Sequence, residues 1–374
     1  MAKEKITLIV VGDIIINRDD PKSIFDRVVD VLNSGDITFA NCDQGYGDPA
    51  LGGPFQFRPG RPDPRNIPAL TYASLDVVSM ANNHTLDWGE DAMLDGLDRV
   101  RKVGIEIVGA GKNIAEARKP AILERKGNKV GFLAYGCIGP DHYEAEENKP
   151  GFAPMRAWTV YEPDPWAQPG NLPKVTSVAH KGDLAAMIED VRKLKARVDA
   201  VVVSFHWGLH FVPAVIPMYE FEVGHAAIDA GADLIVGGHA HILKGIEVYK
   251  GKVIFHAMNN FAVGGPPSRV YDKWRPRGFD PLLPSKTYGF TPDPEIGGHP
   301  EARMTIIGKV AIEDGQIKKV SYLPCYINSD CQPEIMRRRD ARGKQTGEYV
   351  EKISRSQNLP VTFAWDGDEV DISA

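Results

Sequence analysis

The stretch DVVSMANNHTLDWGED, residues 76–91, decides how the chain is read. An apolar run of strand length stops abruptly at Asn82, Asn83 and His84. Polar side chains at the tip of a buried strand need partners, because burying one unpaired costs about 1–3 kcal/mol. The same event recurs along the chain. ITLIVVG leads to Asp13, DITFA to Asn41 and Asp43, DAVVVSF to His206, and DLIVGG to His239 and His241. Helical spacing of apolar residues falls between these runs, at about 21–34, 87–103, 183–196 and 217–230. Strand alternating with helix predicts an α/β domain with a largely buried sheet.

In open α/β sheets, ligands bind beyond the carboxyl ends of the strands. Five polar tips are therefore expected to meet in one pocket. One Asn or Asp at a strand end is ordinarily a turn former or a helix cap; five at one edge argue for a shared ligand. After about residue 244 the pattern changes to two hairpins, turning at Lys250–Gly251 and Asp314–Gly315. They predict a second, more antiparallel part of the fold. Two long irregular stretches, 139–180 and 262–300, exceed ordinary loop length and read as a lid, a homodimer contact or surface insertions. The charged segment 336–374, with RRRDARGK at 337–344, reads as a solvated extension beyond a domain of residues 1–335.

Of the 374 residues, 43% are hydrophobic and 25% charged, the balance of a globular enzyme. A net charge of −6, with no basic and aromatic patch, gives no reason to expect nucleic acid. The first strand is not followed by G-x-G-x-x-G or a Walker pattern, which argues against a nucleotide-binding protein. Four cysteines without a C-x-x-C pair read as buried thiols. The start, MAKEKITLIVVGD, has an apolar run too short for a signal peptide or a membrane span, so a cytoplasmic protein with no membrane contact is expected.

His239 and His241, two residues apart among small neighbours, can approach one metal or two adjacent ones. His206 supplies a third ring, Asp13 a carboxylate and Asn83 a neutral oxygen. Nitrogen and hard oxygen ligands without thiolate suit zinc, manganese or iron. His142, His180, His225 and His299 read as ordinary core or surface histidines.

The ordered set VGD (11–13), ANCD (40–43), ANNHTLDWG (81–89), HWG (206–208), GGHAH (237–241) and NNF (259–261) resembles the CapA family of capsule or poly-γ-glutamate biosynthesis proteins. These have a calcineurin-like metallophosphoesterase fold, and the resemblance runs to about residue 334. It implies a four-layer αββα sandwich holding two divalent metal ions (Mn, Fe or Zn). Asp13 would bind one ion, with Asn41 or Asp43 at the bridging position. Asn83 would bind the second ion beside His206 and His239, while His241 returns to the first. His84 would face the leaving group as proton donor, and Asp87 would orient it or cap the next helix. Asn82 is expected to hold the turn and is grouped with Arg58, His210 and Asn260 as contacts to a small anionic substrate. Arg58, with its planar fork, is the candidate anion clamp. The implied reaction is attack by a metal-activated hydroxide on a phosphoester, or on an amide or other C–N bond. The alternative is a non-catalytic component of polymer synthesis, binding polymer or partner. Three departures stand out: Ile15 where metallophosphatases carry the histidine of D-x-H, His210 where an acidic residue is usual, there to extend the metal or substrate shell or to face solvent, and Ala240 where proline is common.

Overall fold

Strand Ile6–Ile16 sets the architecture because both of its faces are buried. Leu8 and Val10 enter one apolar layer, Ile9 and Val11 another, the period-two alternation of a strand. The computed structural model describes residues 3–52, 63–163, 166, 174–264, 293 and 299–374. Within it this strand pairs parallel with Ile37–Cys42 and antiparallel with Met304–Glu313. Val77–Ser79 and Glu106–Val108 continue the parallel side of this ten-stranded sheet. A six-stranded sheet runs Ile246–Tyr249, Lys252–Phe255, Leu234–His239, Ala200–Trp207, Asn128–Gly136, Ala121–Arg125 in spatial order.

The two sheets face each other across one core. Leu8, Val10, Phe39 and Val77 meet Phe132, Val202, Leu234 and Val236 there, with Phe39 and Phe132 stacked at 5.8 Å. Burying each such side chain is worth about 1.5–3 kcal/mol, so this layer is the main hold on the sandwich. Helices Ile67–Tyr72 and Glu90–Lys102 cover the outside of the larger sheet through Leu70, Leu97 and Val100. Helices Lys181–Lys195 and Met218–Ala230 cover the smaller one, setting Val191, Leu194 and Val223 on Val201, Val203 and Ile235. The order helix, sheet, sheet, helix is the four-layer αββα sandwich expected.

Some expectations change. The first helical stretch is only a 3₁₀ turn, Pro21–Phe25, and a short helix, Val29–Leu32. Both hairpins turn where expected, with Lys250 and Asp314 at φ 51° and their glycines at φ 74°. They form no separate part, however. Lys252–Phe255 pairs parallel with Leu234–His239, and Met304–Glu313 lies beside the first strand, so each hairpin completes a sheet. The segment 336–374 likewise joins the fold. Helix Ala341–Ser356 sinks Val350 and Ile353 into the inter-sheet core while its charged residues face out. Strand Glu369–Ser373 then pairs with Gln316–Ile327.

In the first irregular stretch, Ala157–Glu162 and Lys174–Ala179 pair as a ribbon that exposes Trp158, Val160, Tyr161 and Val175. In the second, Ala262–Gly264 adds a parallel strand to Ile14–Ile16, and most of the remainder lies outside the described residues. Arg58 lies outside them too. Among the described residues no helix is long and apolar enough to cross a membrane.

Candidate metal centre

The carboxyl ends of the central parallel strands of both sheets open on one pocket. Asp13 sits opposite Asn41 in the parallel register, and Trp207 opposite His239. Close approach is bought with glycine. A Cβ on Gly12 would lie 2.2 Å from the Met258 carbonyl oxygen, and one on Gly238 would lie 2.7 Å from Asp13 Oδ1. That clearance lets the His239 N–H donate to Asp13 Oδ2 at 3.1 Å, joining the two sheets at the pocket floor. His239 and His241 both take left-handed backbone, φ 86° and 52°, a conformation side chains other than glycine's adopt at a cost.

The polar atoms converge. His206 Nε2 lies 2.7 Å from Asn83 Oδ1, 3.2 Å from His239 Nδ1 and 3.6 Å from Asp43 Oδ1. Asp43 Oδ2 lies 3.8 Å from His241 Nε2. Both Asp43 oxygens are buried and, among the described residues, accept no hydrogen bond. Asp13, Asp43 and His206 offer ligand atoms all within 4.8 Å of one another. A tetrahedral ion with bonds of ~2.0–2.1 Å needs ligand atoms ~3.4 Å apart, so these residues fit one.

The electrostatics agree. Burial pushes Asp43 up to about 8; His84 pulls it down, while Asp13 and Asp87 push it further up. Burial also raises Asp13, against the pull of His241. Burial and neighbouring imidazoles hold His206 and His239 well below the ordinary histidine range. Neutral imidazoles are ready ligands, and the acids need positive charge to ionise in so buried a place.

Of Asn41 and Asp43, it is Asp43 that stands between His206 and His241. Asn41 lies behind, its Nδ2 donating to Asp13 Oδ1 at 2.7 Å and lying 3.2 Å from His206 Nδ1. Asn260 lies behind His241, its Oδ1 2.5 Å from Nδ1, where it orients the ring. Asn82 holds the turn, as expected. It is buried, its Nδ2 donates to Cys42 O at 2.7 Å, and its Oδ1 accepts from His84 N at 3.0 Å, so the turn consumes its amide.

His84 Nδ1 lies 2.6 Å from Asp87 Oδ2, and the Tyr143 hydroxyl donates to Asp87 Oδ1 at 3.1 Å. Tyr143 was not singled out in the sequence, because it arrives from the 139–180 stretch with no motif around it. The His210 ring lies 5.2 Å from that of His239 and 4.8 Å from that of His241. His180 and His299 cap helical turns, His142 is exposed, and His225 meets Glu247 at 2.7 Å, the ordinary roles expected.

A family model described as bacterial capsule synthesis protein PGA_cap matches residues 7–264. The chain is similar to the PGA biosynthesis protein CapA of Bacillus subtilis, 29% identical over 55% of this chain and 47% of that one. It is also similar to a probable polyglutamine synthesis accessory protein of Mycobacterium tuberculosis, 33% identical over 52% and 47%. The chain thus spans about half the length of these relatives. Among solved structures it is similar to a calcineurin-like phosphoesterase from Bacillus subtilis, at 12% identity over 95% of this chain and 98% of that one, with a TM-score of 0.37. A phosphatase from Mycoplasma pneumoniae gives 12% identity over 86% and 94%, with a TM-score of 0.47. Nothing about chemistry follows from likenesses this distant.

Proposed function

The chain belongs to the bacterial capsule synthesis protein PGA_cap family, and from that premise we propose that its pocket holds two divalent cations (manganese, iron or zinc) and hydrolyses a small anionic substrate. One observation carries this reading. Among the described residues, Asp43 keeps both oxygens buried and without a hydrogen-bond partner between His206 and His241, at distances too long for hydrogen bonds and suited to an ion on each side. His206, His239 and Asn83 would hold one cation with Asp43 Oδ1; Asp13 and His241 would hold the other with Asp43 Oδ2. When bound, such a pair supplies a water of lowered pKa as nucleophile and positive charge against the developing oxyanion.

The chain's own residues do the rest. Asn41 and Asn260 orient the ligands from behind. Asp87 fixes the His84 ring through Nδ1, and Tyr143 fixes Asp87. In its imidazolium form His84 then has the Nε2 proton to give to a leaving group. The phosphoester is the first substrate class to test, and an amide or other C–N bond of a small acid the second, because the same nucleophile attacks either centre. Cation-loaded protein is assayed on a generic phosphodiester and on glutamyl amides. Phosphodiester turnover that is lost in His84→Ala supports the first, and release of glutamate supports the second. A protein that binds two cations and turns over neither contradicts hydrolysis of these classes.

A non-catalytic role has its own support, since the Mycobacterium tuberculosis relative is named an accessory protein. Less than one cation per chain, with function surviving His239→Ala, would favour that reading.

A further inference from the structure

The two halves of the pocket differ in their share of nitrogen. His206 and His239 meet at 3.2 Å on one side of Asp43, whereas on the other side His241 alone faces Asp43 Oδ2. Position 15, two residues after Asp13, carries isoleucine and can add no donor there. Yet a fourth imidazole reaches the same wall. The His210 ring packs between His239 and His241, at 5.2 Å and 4.8 Å, and its Nε2 is buried with no hydrogen-bond partner among the described residues. A buried, unpaired ring nitrogen is costly unless something supplies the missing partner.

The loop that carries His210 is also fastened to the pocket wall. The Phe211 N–H donates to the Ala240 carbonyl at 2.9 Å, directly between His239 and His241 in the chain. Lys244, three residues beyond His241, is buried and donates its ammonium to Val215 O at 2.9 Å and to Val212 O. Burying a lysine for two loop carbonyls makes sense where the loop must keep one position relative to the histidines.

We propose that His210 is a protein ligand of the cation on the Asp13, Asp43 and His241 side, supplied from the loop after His206 rather than from the first strand. This rests on the two-cation reading above and deepens it. A substrate contact, the other role expected for His210, would leave cation affinity untouched.

The test is calorimetric titration of cation-free protein with Mn²⁺ and with Zn²⁺, comparing the natural chain with His210→Ala, His210→Gln and Leu209→Ala. Leu209 is exposed and serves as the loop control. The natural chain and Leu209→Ala are expected to bind two cations. Both His210 variants are expected to keep one affinity and weaken the other by about 30-fold or more, beyond the middle of the range for losing a supporting group around a metal. Because a variant could misfold, a crystal of the natural chain grown with Mn²⁺ gives an independent reading: His210 Nε2 should lie in bonding contact with the anomalous peak beside Asp13. Two unchanged affinities in the His210 variants, or a peak out of contact with His210, would overturn this proposal and leave the two-cation reading standing. A natural chain that binds no cation would overturn both.

Discussion

Two histidine–carboxylate clusters occupy opposite faces of the six-stranded sheet, and they are satisfied in opposite ways. On the helix side, His256 stacks on Trp207 and holds Nδ1 3.1 Å from Glu220 Oε2 and Nε2 3.2 Å from Glu247 Oε2. The other Glu247 oxygen meets His225 Nε2 at 2.7 Å. Burial works against the His256 charge, yet the hydrogen bonds it donates to both glutamates carry its pKa above the ordinary value. Burial likewise opposes ionisation of Glu247, and the two histidines still bring it below its ordinary value. On the inter-sheet side burial wins, so the acids rise and the imidazoles fall. The distances explain why. Acid and imidazole close to 2.7–3.2 Å in the first cluster, but in the second Asp43 stays 3.6 and 3.8 Å from its imidazoles. The same residue types close into ion pairs in one place, where only Glu220 keeps an unpartnered oxygen among the described residues and a raised pKa, and stand apart as a ligand set in the other.

The comparison can be broken most decisively at Asp43. Asp43→Asn should bring bound cation to one per chain or fewer and abolish turnover, by elemental analysis and assay, whereas Glu247→Gln should leave cation content alone. Next, His84→Ala should lower kcat by about 10²–10⁴-fold with cation content unchanged, the ordinary worth of a positioned proton donor. An equal fall in cation content would make His84 a ligand instead. On the other face, His256→Ala should cost about 3–5 kcal/mol in urea unfolding without changing cation content, because it leaves Glu220 buried without its imidazole and Glu247 with His225 alone.

A pH series sharpens the contrast. The folded pKa of Asp43 is raised from 3.8 to about 8, so between those values the cation-free folded chain holds a proton that the unfolded chain has lost. The stability it contributes is full below pH 3.8 and drains away as pH rises through about 8. His206 and His239, held low, act the other way: their folded state gains stability with pH up to their ordinary 6.5 and is level above it. From pH 6.5 to 8 the cation-free chain should therefore lose stability, by at most about 1.4 kcal/mol per pH unit for each group. Cation-loaded protein should lose less, keeping only the part that His256, raised by its glutamates, contributes in both forms. The smallest effect is expected from Tyr143→Phe, which removes one hydrogen bond to Asp87, worth about 0.5–1.5 kcal/mol in the barrier, and leaves cation affinity unchanged.

The pocket is legible in the sequence because the contributing strands are almost wholly buried, so the polar residues at or near their ends stand out. What separates Asn41 from Asp43 is not legible. The two are i and i+2, and only the register across Asp13 and the position of His206 set one behind the pocket and the other within it. Nor does any motif announce the back cluster, since residues 220, 247 and 256 come from unrelated elements that meet only after packing. The C-terminal helix misleads for a different reason: its exposed charges outnumber the few apolar residues that enter the core.

The most direct test of the central claim is a crystal structure of the protein as purified, with anomalous data collected at the manganese, iron and zinc edges. Two peaks flanking the Asp43 carboxylate, one within bonding distance of His206 and His239 and the other of Asp13 and His241, are the predicted result. A map with no anomalous peak in the pocket, in which the Asp43 oxygens are hydrogen-bonded to water or to the histidines, would contradict it.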